Sequence, residues 1–294
     1  TTIRNNLENY ISSQSDFTDY DFEGSTISNL LDLLAYNTYY NSIYTNMASN
    51  EMFLDSAQIR ANVVSRAKML GYTPSSARGA SAIVQVNVTP RNTQTDTITV
   101  AKNTQFTATV EGINYRFVTP QAYTINKVGT STVLSANITI TEGEPLTHRF
   151  TVGSANTRYI LPNENIDLTS LAVSVQTSAS NTTVITHTKA DDISSVFENS
   201  TGYFCQETEE QEYELIFGNG VIGKALTTGN IIIADYRVCN GEKLNGAAVF
   251  TAPANIGGET NFTFSTTSAA IAGANPESIE GIKFTAPENY QPHN

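Results

Sequence analysis

The sequence predicts an α+β fold, a helical N-terminal arm followed by a mainly antiparallel β-rich region. Three observations predict it. Apolar residues recur at helical spacing through the first seventy positions and switch to alternation from Ala80 onward. Gly and Pro punctuate the later, alternating part at short intervals and are scarce in the long early run. Charged residues make up only 15% of the chain, and the Thr, Ser and Asn that replace them suit extended strands joined by polar turns. With 294 residues the chain can form two or three domains, and its size demands neither a disulfide nor a metal.

The arm comes first. Ile3, Leu7, Tyr10 and Ile11 form the stripe of a short amphipathic helix. A polar and aromatic break, Ser15 to Gly24, precedes a long helix from about Ser25 to Ser49, which Ser25 can cap and no Gly or Pro interrupts. Taking Ile27 as zero and about 100° per residue, Leu30, Leu31 and Leu34 fall at about 300°, 40° and 340°. Tyr36, Tyr40, Ile43, Tyr44 and Met47 fall between about 160° and 260° on the same scale. The two halves thus carry opposite apolar faces, where a surface helix has one stripe. Two faces require two neighbours. The β-region could cover one of them, and helices of other chains would naturally supply the rest. Leu30, Leu31 and Leu34 are therefore expected to dock one neighbour, and Tyr36, Tyr40, Ile43, Tyr44 and Met47 another. A second helix is expected over Ser56 to Leu70, with Asp55 as cap, Gln58 completing a capping box and Leu54 with Ile59 as a staple. Ala57, Ala61 and Val64 follow its period, Gly71 stops it and Pro74 prevents a restart.

Alternation then marks strands at Ile83–Val88, Thr97–Val100, Thr104–Val110, Tyr115–Val118, Thr132–Ile140 and His148–Val152. More follow within Tyr159–Gln176 and at Val184–Thr188, Tyr203–Cys205, Glu212–Phe217 and Asn230–Val238. A short capped helix is expected near Pro276–Ile282. The domain division expected is 1–78 for the arm, 79–265 for the β-region with room for two subdomains, and 266–294 as a connector. Thr1 is not a Met, and both ends read as cuts in a longer protein.

No catalytic, cofactor or metal site is expected. The net charge of −12 disfavours a nucleic-acid backbone or an anionic membrane surface as partner. No run of 18 apolar residues is present to span a bilayer, and the N-terminus does not resemble a signal peptide. Cys205 and Cys239 lack metal-like spacing and read as two reduced cysteines on separate strands. Gly218-Asn219-Gly220-Val221-Ile222-Gly223 matches a dinucleotide fingerprint, with Glu242 about 20 residues further on. The fingerprint needs a helix opening at the glycines, and Lys224 to Asn230 leaves no room for one. Gly218, Gly220 and Gly223 are therefore expected to shape a structural turn, with no small-molecule substrate. Glu207, Glu209, Glu210, Glu212 and Glu214 could suggest calcium, but lack the Gly-punctuated ligand spacing, and a solvated strand face is expected. Asp191-Asp192 reads as a solvated loop pair, and His148, His187 and His293 stand apart from one another.

Three stretches resemble one family. Asp19-Tyr20-Asp21-Phe22-Glu23-Gly24-Ser25, followed by Leu31-Asp32-Leu33-Leu34-Ala35-Tyr36-Asn37-Thr38, is similar to the N-terminal signature of the baseplate wedge subunit of contractile-tailed bacteriophages. Phe217 to Lys224, with Gly229-Asn230 and Asp235-Tyr236-Arg237, resembles the strand–turn–strand of baseplate J-like proteins, with Asn219 where Asp is common. Glu277 to Tyr290 resembles the segment that joins this β-region to C-terminal domains. The resemblance implies a structural subunit rather than an enzyme, placed in the virion's tail baseplate after assembly in the bacterial host cytoplasm. It implies two copies per wedge, with N-terminal helices bundling with a second wedge protein, and a role in coupling host attachment to sheath contraction. Two alternatives stand beside it. One is the equivalent component of a bacterial contractile injection system. The other is a β-rich adhesin or carbohydrate-binding module, which accounts for the Thr, Ser and Asn content but not for the arm.

Overall fold

The computed structural model describes residues 2–14, 25–127, 132–153, 158–190, 196–208 and 210–289. The expected break at 15–24, the Asp191-Asp192 pair, Glu209 and His293 lie outside the described residues. The chain divides into two compact units, Thr1–Tyr72 with Ile282–Asn294, and Thr73–Gly281.

The first unit is helical. Helix α1 spans Thr2–Ser12, α2 spans Thr26–Asn50 and α3 spans Arg60–Met69. The Ser25 hydroxyl accepts the Ser28 amide at 3.0 Å, so the predicted cap of α2 is in place. Arg4 of α1 lies 3.0 Å from Asp32 of α2, is paired within its own helix to Glu8, and donates to the Ser28 hydroxyl at 3.1 Å. Leu31 is buried beside these groups.

The second helix starts four residues later than the expected Ser56. Its cap position is Ile59, which makes no side-chain cap bond, so the Asp55–Gln58 capping box does not form. The Glu51 carboxylate replaces it, accepting the Gln58 amide at 2.8 Å, the Ile59 amide at 3.2 Å and Asn62 Nδ2 at 2.8 Å. These bonds hold its carboxyl below the usual range, the Asn62 bond most. Residues 53–57 are meanwhile closed in a turn, with the Ala57 amide donating to the Phe53 carbonyl at 2.9 Å. At the other end Gly71, at φ +76°, donates to Lys68 and Tyr72 donates to Ala67, the two bonds of a Schellman motif. Helix α4, Ile279–Asn289, is longer than the short helix expected and is capped by Ser278, whose hydroxyl accepts the Gly281 amide at 3.1 Å. Ala57, Val63, Val64, Ala67, Ile282 and Ala286 are among this unit's buried residues.

The second unit holds two sheets. The first contains β1 (Ser81–Val88), β2 (Thr97–Val100), β3 (Gln105–Val110), β4 (Ile113–Val118), β5 (Tyr123–Lys127) and β6 (Leu134–Glu142). It is completed by β14 (Phe250–Thr251) and β15 (Phe262–Ile271), in the order β14-β3-β4-β6-β1-β15 with β5 on β6 and β2 on β5. Every pairing in it is antiparallel. The second sheet runs β7-β13-β9-β10-β11-β12-β8. Its strands are β7 (Glu144–Thr151), β8 (Tyr159–Leu161), β9 (Ile166–Gln176), β10 (Val184–Lys189), β11 (Gly202–Glu207), β12 (Tyr213–Phe217) and β13 (Ile231–Val238). Only β10 and β11 pair in parallel among the described strands. The predicted mainly antiparallel β-region is thus present. Strand β15 runs across the boundary expected at 265, because it pairs with β1 along nearly its whole length.

Each sheet has its own core. Val84, Val86, Phe106, Phe117, Ile138 and Ile140 lie in the first, and Leu161, Val173, Tyr203, Leu215, Ile232 and Tyr236 in the second. These are alternate positions on their strands, the inward set of a period-two pattern. The sheets join where β6 passes into β7 through Gly143 alone. Gly143 has φ +133°, and a Cβ there would stand 2.9 Å from the Val238 carbonyl oxygen. The preceding Glu142 is buried and accepts Asn240 Nδ2 at 2.7 Å and the Asn240 amide at 3.1 Å, which ties β6 to the end of β13. Arg116 of β4 pairs with Glu144 of β7 across the same joint.

Candidate functional site

Among the described residues no group of three or more His, Cys, Asp or Glu side chains could hold a metal ion. The glutamate cluster is not the solvated face expected. Glu210 and Glu212 lie between β11 and β12, so the alternation assumed for Glu210, Glu212 and Glu214 is broken before the last of them. Glu207 and Glu214 are buried. Glu214 accepts two bonds from Arg158, at 2.8 and 3.0 Å, and one from Gln206 at 3.1 Å. A buried carboxylate requires such partners.

His187 is buried with its Nδ1 3.1 Å from the Ile185 carbonyl, and burial lowers its pKa. His148 lies edge-on to Phe150 at 4.5 Å. Cys205 and Cys239 are both buried. Cys205 lies on β11, whereas Cys239 lies just past β13, and burial pushes its thiol up to about 11.

The glycine-rich motif closes on itself. Gly220 and Gly223 have φ of +88° and +75°, a backbone region that favours glycine. Gly218 needs its missing side chain for another reason, since a Cβ there would stand 2.2 Å from the Gly223 carbonyl carbon. The Asn219 side-chain oxygen accepts the Val221 and Ile222 amides, each at 3.0 Å. The Gly220 amide donates to Gly223 at 3.0 Å, and Gly223 donates to Phe197 at 3.2 Å. No helix follows, so the motif has no helix N-terminus to offer a pyrophosphate.

The surface that stands out is α2. Only Ser28 and Leu31 of its 25 residues are buried. Leu31 therefore departs from the docking set expected for the first half. It is taken up inside the chain, whereas Leu30 and Leu34 beside it are exposed. Of the second set, Tyr36, Tyr40, Tyr44 and Met47 are exposed and Ile43 is half-buried. Four tyrosine rings form a ridge. The Tyr36 and Tyr40 centroids lie 4.5 Å apart, Tyr39 and Tyr40 5.8 Å, and Tyr40 and Tyr44 6.2 Å. Such separations suit tilted and edge-on aromatic pairs. A hydrogen bond with Tyr40, first among the causes, raises the Tyr36 phenol pKa. Sequence reasoning missed two members of this surface, Leu33 and Tyr39, both exposed. Leu33 lies at about 240° on the helical scale used above, within the tyrosine face, so its angle alone could have placed it.

No helix is long and apolar enough to cross a membrane among the described residues. Residues 1–72 match the family described as baseplate wedge protein gp6-like, helical domain. That span ends where the first stretch of the helical unit ends, at Tyr72. The chain is also 27% identical over 309 aligned positions to baseplate wedge protein gp6 of Enterobacteria phage T4, an alignment covering 96% of this chain. The chain spans 45% of that relative's length. One match lies on the helical unit and the other along nearly the whole chain, so this protein is similar to baseplate wedge proteins across both of its units.

Proposed function

We propose that the chain is a structural subunit that assembles with other wedge proteins, and with a second copy of itself, through its N-terminal helices. Its place is the tail baseplate of the virion, built in the host cytoplasm, where it helps couple host attachment to sheath contraction. The observation that carries this reading is the bare surface of α2, with Leu30, Leu34, Tyr36, Tyr40, Tyr44 and Met47 turned to solvent. Aromatic and Met side chains give a partner helix large contact areas and tolerate imperfect fit. Leu31 belongs to the fold of the arm rather than to the docking set. The similarity to gp6 favours baseplate partners over an adhesin's carbohydrate.

The test is co-purification of the chain with the other wedge proteins, comparing wild type with Tyr40→Ala plus Ile43→Ala. Assembly is expected to weaken by about 2 kcal/mol or more, as for central aromatic contacts at interfaces. The melting transition of the isolated chain should stay in place. Unchanged assembly with a collapsed melting point would refute the proposal.

A further inference from the structure

The chain contains three Asn-Gly pairs, Asn219-Gly220, Asn240-Gly241 and Asn245-Gly246. In such a pair the glycine nitrogen can attack the asparagine Cγ, because no side chain on the following residue obstructs it. We propose that Asn219 is a spontaneous deamidation site of the folded protein and that the other two are protected by their contacts.

The reaction balances without a co-reactant other than water. The Gly220 nitrogen gives its proton to solvent and bonds to Asn219 Cγ, forming a tetrahedral carbon whose negative charge lies on Oδ1. The Cγ–Nδ2 bond then breaks and ammonia leaves with the proton, giving a succinimide ring. Water opens the ring to an aspartyl or isoaspartyl residue. The net change is amide plus water to acid plus ammonia.

The surroundings of the three side chains differ at the two atoms that matter. Asn219 Oδ1 already accepts two backbone amides, Val221 and Ile222 at 3.0 Å each. Those donors are aimed at the oxygen on which charge develops. Its Nδ2, the leaving group, makes no hydrogen bond among the described residues, and Asn219 and Gly220 are exposed. Asn240 Nδ2 instead donates at 2.7 Å to the buried carboxylate of Glu142. Asn245 is held at both ends by one residue, its Nδ2 donating to the Gly273 carbonyl at 2.8 Å and its Oδ1 accepting the Gly273 amide at 2.9 Å. The Gly220 and Gly246 nitrogens are both engaged, with Gly223 and Ala270, so the glycine contacts do not rank the sites. The side-chain amides do. The aspartyl product would keep both amide bonds of the turn and make them charge-assisted, whereas an isoaspartyl product inserts a methylene into a tightly closed loop.

The experiment incubates the folded chain and the same chain unfolded in urea, in mildly alkaline buffer. Peptide mapping by mass spectrometry then follows each of the three sites, with Asn219→Asp as reference product and fold control. All three amides should be lost in urea. In the folded chain Asn219 should convert about tenfold faster than either other site, the effect of one hydrogen bond on a leaving group. Asn219→Asp should melt at or above the wild-type temperature. Equal rates at the three sites of the folded chain, a persistent Asn219 amide, or a destabilised Asn219→Asp would each overturn the proposal.

Discussion

The first sheet and helix α2 use similar apolar residues in opposite ways. On β1, Val84, Val86 and Val88 are 0% exposed, and Phe106 on β3 is equally closed off. On α2, Tyr36, Tyr44 and Met47 are 61%, 62% and 57% exposed. The strand residues hold the fold together, since burial of a large apolar side chain contributes about 1.5–3 kcal/mol. The α2 residues give the isolated chain little of this, and a helix is marginal in water without tertiary packing of one face. The helix is maintained locally by its Ser25 cap, the Arg4–Asp32 pair and the turn after Asn50. An apolar surface that the fold leaves unused is available to a neighbour.

The comparison breaks if removal of a sheet residue is tolerated. Phe106→Ala should destabilise the β unit by about 3–5 kcal/mol, the range for truncating a buried aromatic ring, as measured by urea denaturation. A second test probes a charge that the sheets bury beside their joint. Burial, ahead of its other causes, raises the Glu142 pKa, with Asp167 adding to the rise while Asn240 and Arg237 oppose it. The folded chain therefore binds this proton more tightly than the unfolded chain. Stability from this group should be lowest above the folded pKa and should rise as pH falls, until the ordinary glutamate value of about 4.3 is passed. Denaturation of Glu142→Gln across that window should lack this increment, and an identical slope in both proteins would reject the assignment. The smallest effect is expected at the opposite extreme. Tyr44→Ala should change the melting free energy of the isolated chain by less than about 0.5 kcal/mol, as for exposed positions generally. A larger loss would show that the ridge is packed within its own chain.

Much of the architecture was legible from periodicity. The switch from helical spacing to alternation placed the arm and most strands, because a half-buried strand repeats every two residues regardless of its neighbours. The second helix was misplaced because Asp55 and Gln58 satisfy a local capping pattern, while the actual cap comes from Glu51 seven residues earlier than Gln58. A bond across that distance leaves no short motif. Glu214 was read as solvated for a similar reason. Its partner Arg158 lies 56 residues away, a pairing that only the strand order β11-β12-β8 creates. The boundary expected at 265 falls inside β15, which was not named as a strand although Phe262 and Phe264 alternate with Thr263 and Ser265. Its continuation, Thr266 to Ile271, carries small polar and Ala residues whose period is weak. At the candidate surface, the angles located the tyrosine face, whereas nothing in the sequence showed that Leu31 would be buried while Leu30 and Leu34 stay bare.

The passage of β6 into β7 through one glycine has a mechanical consequence. β6 is zipped to β1 over eight consecutive registered pairs, and β7 to β13 over another eight. The hydrogen bonds of an antiparallel ladder lie perpendicular to its strands. A pull along either strand therefore loads its ladder in shear, sharing the force among many bonds at once instead of peeling them singly. With Gly143 as the only residue between them, tension from one sheet reaches the other with almost no slack.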